Sequence, residues 1–595
     1  MIRIPLRPLP RILEARAEGR NPAHIERENL RLRHEQMRDL ARRRAEWRLL
    51  FLAALFFMGF ALIGARMGLL AASPPHEPMP YQGEEIAAYR AEIQDRNGRI
   101  LATNLVTNSL YAEMRYMVDG ARAARELARI FPDIDAERLA ARLTDPDRRF
   151  VWIRTRLSPE QVQAVHDIGE PGLLFGPREM RLYPNGRLAA HVLGGTSFGQ
   201  QGVNAAEIVG TGGIEHRLDA TLRDPDRAER PMRLSLDLTV QAIAAEVLDG
   251  GVSMLGARAG SATVMDARTG EIVAMVSLPD FDPNDRPAPP TEGDPTDSPL
   301  FNHAVQGVYE LGSVMKAFGV AQALELDLVT PETMIDTRAP LRIGGHAIND
   351  FRNYGAEMSV RDVFVRSSNI GTARLAQMIG ADRQRDFLQR FGFLEPASVE
   401  LAETARARPQ FPDRWTEISS MTISYGHGLS TSPLQLAAAY AALVNGGTRV
   451  EPTLLRRATA APGERLISER TSAMMRALMR QVVTTGTASM AEVEGFVFGG
   501  KTGTADKPDP SGGYAEDRVI ATFAGAFPLD DPRYVVVITL DEPNETSSGE
   551  ARRTAGWTVV PVAAEIVRRT APLLGLRPRD DARATAAIEA ALQLR

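Results

Sequence analysis

The chain has 595 residues, too many for a single hydrophobic core, so two or more domains are expected. Its hydrophobic fraction of 44% and charged fraction of 24% suit a globular protein, and a net charge of −5 gives no electrostatic basis for holding nucleic acid. There is no cysteine, which excludes disulfides, thiolate metal sites and cysteine nucleophiles.

Charge is unevenly spread along the chain. Residues 1–48 carry 13 Arg against 7 Asp and Glu, a net of +6 that leaves −11 for the remainder. Within it, residues 14–48 read as a polar helix or a disordered stretch. An uncharged apolar run, Leu49 to Ala65, follows directly, with Arg66 and Met67–Ala72 behind it. About 20 apolar residues cross a bilayer, and Arg66 can reach toward the far headgroups. A transmembrane helix is therefore expected over 49–70, with the arginine-rich side cytoplasmic and everything beyond it exported. A cleaved signal would carry a shorter basic region. Residues 71–88, with Ser73–Pro80 rich in proline, read as a stiff linker.

Residues 89–230 mix short strands and helices, with Asp95-Arg96-Asn97-Gly98-Arg99 as a turn between two β-like runs. A larger domain is expected over 231–575. Met232–Asp237 reads as a strand leading into a helix, and Ala267–Gly270 as the turn of a hairpin. The Pro- and Asp-rich stretch 279–299 reads as a mobile rim. From Gln306 to Gly447 the pattern is mainly helical. Phe496–Thr504, Val519–Phe527 and Tyr534–Leu540 read as neighbouring antiparallel strands, and Val559–Thr570 as a closing helix. Residues 576–595 form a tail. The fold class expected is α+β.

The chain contains only three lysines, Lys316, Lys501 and Lys507. Arginine serves wherever a plain positive charge is wanted, but only lysine can lose its proton in a protein. Lys316 lies in Ser313-Val314-Met315-Lys316, one helical turn from a serine that a basic amine could activate. Taken alone, this is the pattern of a capping serine and a surface lysine. Ser367-Ser368-Asn369 is weaker still by itself, since Ser and Asn cap helices routinely. Lys501-Thr502-Gly503-Thr504 follows two glycines in a strand-like run, where a backbone can approach closely. Gly495 to Thr502 also matches a phosphate loop in letters, but a strand runs through it where a helix should begin. The three motifs occur in a fixed order, 54 residues from Ser313 to Ser367 and 132 from Asn369 to Lys501. Together they are the S-x-x-K, S-x-N, K-T-G set of penicillin-binding proteins and serine β-lactamases.

Beyond these motifs, the chain resembles the class B penicillin-binding proteins, and among them the division-type (FtsI-like) peptidoglycan D,D-transpeptidases. Tyr89-Arg90 with Ile93–Gly98, Arg181–Pro184 with His191–Gly194, and Gly213-Ile214-Glu215 resemble the boxes of that family's pedestal, with Ala91 in place of a glycine. Tyr425-Gly426-His427-Gly428 and Thr431–Ala437 look like the division branch. Leu311 stands where proline is usual before Gly-Ser.

The resemblance implies a penicillin-binding fold with a non-catalytic pedestal over 89–230 and no cofactor or metal. It implies that Ser313 attacks a stem peptide ending in D-Ala-D-Ala and that an amine from a second strand resolves the acyl-enzyme, making the cross-link of septal wall synthesis. In that reading Lys316 is the base, Ser367 relays protons, and Asn369 holds Lys316 and a substrate amide. Lys501 and Thr502 bind the terminal carboxylate, and Gly503 lets the strand approach. The N–H groups of Thr504 and Ser313 form the oxyanion hole. β-Lactams would trap Ser313, and the partners would be the inner membrane, a glycan-polymerising SEDS-type (FtsW-like) protein and other division proteins. The alternatives are an elongation-type enzyme of the same class, a membrane-anchored β-lactamase or β-lactam sensor, and a silent scaffold.

Overall fold

The structure, a computed structural model, describes residues 9–72, 90–201, 206–227, 230–457, 459, 463–509, 512–547 and 549–593. It divides into two compact units, residues 1–85 and 86–595. The expected linker around Ser73–Pro80 and Tyr89 of the first pedestal box lie outside the described residues.

In the first unit a helix Leu9–Ala17 precedes one continuous helix, Ala23–Ala72. The basic segment is thus largely helical over its described residues, and the apolar run extends the second of these helices. Its most apolar window has a mean hydropathy of 2.1, and its length and composition suffice to cross a membrane.

The second unit begins with the pedestal. Asp95 Oδ1 accepts from the N–H groups of Asn97 (2.8 Å) and Arg99 (2.9 Å), which closes the expected turn. Strand Ile100–Glu113 then runs antiparallel between Phe150–Leu157 and Leu173–Leu182. Helices Gly120–Ile130, Ala136–Leu143 and Pro159–Asp167 cover it around a separate core that includes Leu110, Leu127, Val151 and Val165. Strand Ile93–Gln94 pairs with Ile100–Ala102 on one side and, in parallel, with Met232–Arg233, where the larger domain starts.

The described parts of the three pedestal boxes meet at one buried carboxylate. Glu215 accepts from Arg90 Nε (2.6 Å), Arg181 Nε (2.7 Å) and Tyr183 Oη (3.2 Å), and Arg90 also donates to Asp219 (2.7 Å). Segments more than 100 residues apart are held by charges that have no access to water.

The larger domain is built on a five-stranded antiparallel sheet. Its order is Gly499–Pro508, Tyr514–Phe527, Tyr534–Asp541, Ala259–Asp266, Ile272–Leu278. The hairpin expected at Ala267–Gly270 forms, and the three C-terminal strands join it at Tyr534–Asp541. Strand Gly499–Pro508 is left at the edge. Helices Leu238–Met254 and Val559–Thr570 pack on each other and on the sheet, and helix Pro433–Val444 packs on its central strands. The helical region expected from Gln306 to Gly447 is present. Among the described residues three small strand pairs interrupt it, Tyr309–Glu310 with Ser430–Thr431, Met334–Asp336 with Glu357–Ser359 and Leu341–Ile343 with His346–Ile348. The tail is docked as a helix, Asp581–Glu589, and Asp581 accepts from Gly495 N (2.7 Å).

The stretch 279–299 departs from expectation. Its first part is pinned to the pedestal: Arg187 Nε donates to Asp280 Oδ1 (2.7 Å), and Asn284 exchanges hydrogen bonds with the backbone of Tyr183 (3.0 and 2.9 Å). Prolines keep this segment out of a ladder, but its Asp and Asn side chains supply the bonds that its backbone does not.

Replacing Glu215 by Ala strands two buried guanidinium groups, and loss of one partner from such a cluster costs about 3–5 kcal/mol. Chemical denaturation should therefore show Glu215→Ala as strongly destabilised. A change below about 1 kcal/mol would mean that the cluster does not hold the pedestal together.

Candidate active site

Ser313 sits in a 3₁₀ turn, Gly312–Met315, that runs directly into helix Lys316–Glu325. The regular helix therefore begins two residues after Val314, where the helix-favouring run of the sequence starts, and Ser313 lies in its lead-in turn. Gly312 has φ +63°, and a methyl group on it would sit 2.6 Å from the Thr504 carbonyl oxygen. Only glycine allows both the turn and that approach. The buried Tyr440 donates to the Val314 carbonyl (2.8 Å), and Phe318 packs edge-on against Phe391, Phe393 and Tyr440. The turn bearing Ser313 is thus anchored on its inner side.

Lys316 is fully buried. Its Nζ lies 2.6 Å from Ser367 O, 3.0 Å from Ser367 Oγ and 2.7 Å from Asn369 Oδ1. Ser367 takes the left-handed conformation, φ 65°, unusual for a residue with a side chain. This turn presents both its carbonyl and its hydroxyl to the amine. Ser368 caps the next helix, Asn369–Ile379, by accepting from Gly371 N (2.9 Å), and donates to Asp350 Oδ2 (2.7 Å). Asp350 also accepts from the N–H groups of Asn369 and Ile370. A single carboxylate thereby fixes the whole Ser-Ser-Asn turn at a helix N-terminus, where negative charge is favoured.

The edge strand supplies the third group. Lys501, also fully buried, donates to the same Ser367 Oγ (3.1 Å) and to Thr502 O (3.0 Å). Thr502 and Thr487 share a hydrogen bond of 2.6 Å, and Thr504 Oγ1 accepts from Ala555 N (3.0 Å). A methyl group on Gly503 would fall 2.2 Å from the Leu311 carbonyl oxygen, so this strand can lie against the Ser313 turn only with glycine there.

Two ammonium groups around one hydroxyl, both out of water, cannot both stay charged. Burial pushes Lys501 down to about 7. Lys316 is held well below the ordinary lysine range, first by burial and then by the charge of Lys501, against a smaller opposing pull from Asp350. Of the two, Lys316 is pushed further and gives up its proton first as pH rises, so Lys501, near 7, is the one that keeps a share of positive charge in the neutral range.

All eight site residues expected from sequence are brought together except for one contact. The half-buried Ser313 hydroxyl makes no hydrogen bond among the described residues, so the Ser313–Lys316 pair is not closed here. Such bonds commonly tighten only around substrate. Two participants gave no sequence signal: Asp350, an isolated aspartate 18 residues before Ser368, and Thr487.

The chain is similar to known proteins over most of its length. Residues 260–566 match the penicillin binding protein transpeptidase domain, and residues 85–230 match the penicillin-binding protein dimerisation domain. A probable peptidoglycan D,D-transpeptidase FtsI of Caulobacter vibrioides is 35% identical over 569 residues, 93% of each chain. The peptidoglycan D,D-transpeptidase FtsI of Escherichia coli K12 is 28% identical over 532 residues, 84% of this chain and 87% of that one. The crystal structure of penicillin binding protein 3 of Mycobacterium tuberculosis, complexed with aztreonam, superposes with a TM-score of 0.62 at 26% identity, covering 83% of this chain and 98% of the other.

With three lysines in the chain, a spectrum of the protein labelled at lysine side chains contains three signals, assignable by single Lys→Arg variants. One signal should titrate near pH 7 and vanish in Lys501→Arg. Another should remain that of a neutral amine through the neutral range and vanish in Lys316→Arg. If both titrate as ordinary lysines, near 10.5, the desolvated pair does not exist as described.

Proposed function

The chain belongs to the class B, division-type penicillin-binding proteins, peptidoglycan D,D-transpeptidases, and from that premise we propose that Ser313 is the nucleophile of its cross-linking reaction. The observation that carries this assignment is the Ser367 hydroxyl, which lies between Lys316 (3.0 Å) and Lys501 (3.1 Å) beneath the Ser313 turn. In the free-amine state Lys316 has two N–H groups, which serve Ser367 O and Asn369 Oδ1. The contact with Ser367 Oγ is then made by the serine O–H donating to the amine lone pair.

The steps follow from these groups. A stem peptide ending in D-Ala-D-Ala lies along the edge strand and adds to the sheet. Its terminal carboxylate meets charged Lys501 and Thr502. The Ser367 O–H turns off the Lys316 lone pair, which then accepts the Ser313 proton as the hydroxyl attacks the penultimate D-Ala carbonyl, and the N–H groups of Ser313 and Thr504 receive the developing oxyanion. Ser367 passes the proton to the departing D-Ala amine. A β-lactam, which carries an equivalent carboxylate and a strained amide, acylates Ser313 in the same way. The helix Ala23–Ala72 anchors the chain in the inner membrane with its basic end cytoplasmic, and the catalytic unit works in the periplasm at the septum. A glycan-polymerising FtsW-like protein supplies the strands that are joined.

Mass spectrometry of the penicillin-treated protein should find one adduct per chain, on Ser313. An adduct on another serine, or full labelling of Ser313→Ala, would remove the assignment.

Lys316→Arg and Lys501→Arg separate the two amines. Arginine cannot become neutral, so at position 316 acylation should fall by the ~10²–10⁴-fold that a general base contributes. At position 501 arginine still attracts a carboxylate, and the loss should be smaller. Acylation rate constants, compared after circular dichroism confirms folding, decide between the roles. Equal losses, or a milder effect at 316, would show that they are misassigned.

A further inference from the structure

The second half of the reaction poses a proton problem that the buried site does not solve. An acceptor amine arrives at neutral pH as an ammonium. In becoming an amide nitrogen it loses two protons. One restores the Ser313 hydroxyl through Lys316 and Ser367. The other must leave before attack, because an ammonium has no lone pair.

A second constellation stands beside the Ser313 turn. Glu310 precedes the turn in the short strand Tyr309–Glu310, which pairs with Ser430–Thr431. Its carboxylate accepts from His427 Nδ1 (3.2 Å), Gly428 N (2.7 Å) and Tyr514 Oη (3.0 Å). Burial pushes the Glu310 carboxyl up, but the bond from His427 and those from Gly428 and Tyr514 outweigh it and hold it below the usual carboxylate range. An ionised carboxylate only accepts, so His427 Nδ1 carries a proton, and whenever the ring is neutral its lone pair lies at Nε2. Nε2 has no partner among the described residues. The ring is held edge-on to Tyr514 (5.5 Å) and edge-on to Tyr425 (5.6 Å). Gly426 packs straight onto Gly312: a methyl group on it would sit 2.0 Å from the Gly312 carbonyl oxygen. His427 is therefore fixed next to the turn that carries the nucleophile. Unlike the two lysines, it is reachable, with its side chain 28% exposed and that of Glu310 12% exposed.

We infer that His427 is the base that removes a proton from the incoming acceptor ammonium, with Glu310 as the residue that orients the imidazole and draws in the cation. The inference rests on the reading of Ser313 as the acylated nucleophile. The ammonium gives one proton to His427 Nε2. The amine attacks the acyl carbonyl, the C–O bond to Ser313 breaks, the second proton passes through Lys316 to Ser313 Oγ, and the imidazolium releases its proton to water.

The test loads the full chain with an acyl-D-Ala thioester donor and follows product by mass spectrometry. Two acceptors are used, D-alanine, an ammonium at pH 7, and hydroxylamine, mostly unprotonated there. In His427→Gln the ratio of D-alanine aminolysis to penicillin acylation should fall on the order of 10²-fold, and hydroxylamine should restore most of it. Glu310→Gln should move the same ratio in the same direction, by less. An unchanged ratio in both variants overturns the inference, as does equal loss with both acceptors, or acylation falling in step with aminolysis, which would mark a structural role. Failure of Ser313 to acylate in the unaltered protein would instead sink the proposed function.

Discussion

Two desolvated amines sharing one hydroxyl is the constraint on which the rest of this molecule depends. Placing Lys316 and Lys501 on either side of Ser367 Oγ, with both side chains out of water, makes it unfavourable for both to be charged. The consequence is a division of labour that neither lysine would show alone. Lys501 charged makes Lys316 a base, and Lys316 neutral leaves Lys501 as the local cation for a carboxylate. The arrangement is unfavourable for folding, since an unfolded chain would keep both protons, and it persists because hydrogen-bond acceptors surround each amine.

The fold is organised to bring those groups together from distant parts of the chain. The Ser313 turn follows the first hairpin of the sheet, and the edge strand with Lys501 comes from the C-terminal third. Strand Tyr534–Asp541 joins them by pairing with Ala259–Asp266. Ser367 arrives on a separate helical layer, positioned by Asp350 through the Asn369–Ile379 helix end. Glycines at 312 and 503 then let turn and strand touch. The pedestal enters through the strand pair at Ile93–Gln94 and Met232–Arg233 and through the strap 279–299. That strap leads on to the strand carrying Glu310, so pedestal contacts and active-site segment are continuous in sequence.

Legibility from sequence followed the physics of each signal. Local patterns were readable: the Asp95–Arg99 turn, the Ala267–Gly270 hairpin, the alternating C-terminal strands and the long apolar helix all form as expected. The lysines were readable because the chain uses arginine everywhere else, so each lysine carries information. What stayed hidden was held by tertiary contact. Asp350 has no motif, and its role exists only because a small strand pair places it over the end of another helix. The strap 279–299 has the composition of a free loop, and its bonds to Arg187 and Tyr183 involve residues about 100 positions away. The 3₁₀ form of the Ser313 turn reflects its packing against Tyr440 and Thr504, which no helical period reports. Glu310 and His427 are 117 positions apart, and a carboxylate before a turn and a histidine among glycines are ordinary singly.

Solvent access separates the two kinds of proton chemistry at this site. Activating a serine calls for a base whose proton affinity has been reset, and burial is the means, at the cost of isolating that base from bulk water. Deprotonating an acceptor that arrives hydrated and charged calls for the opposite environment, a group that water can reach and that begins each turnover with a vacant lone pair. The lysine pair meets the first requirement at zero exposure, and the partly exposed His427, oriented by an ionised Glu310, meets the second. Both are attached to one short stretch of chain, Glu310 to Lys316. A single short segment thus sets the nucleophile between a buried base and a partly exposed one.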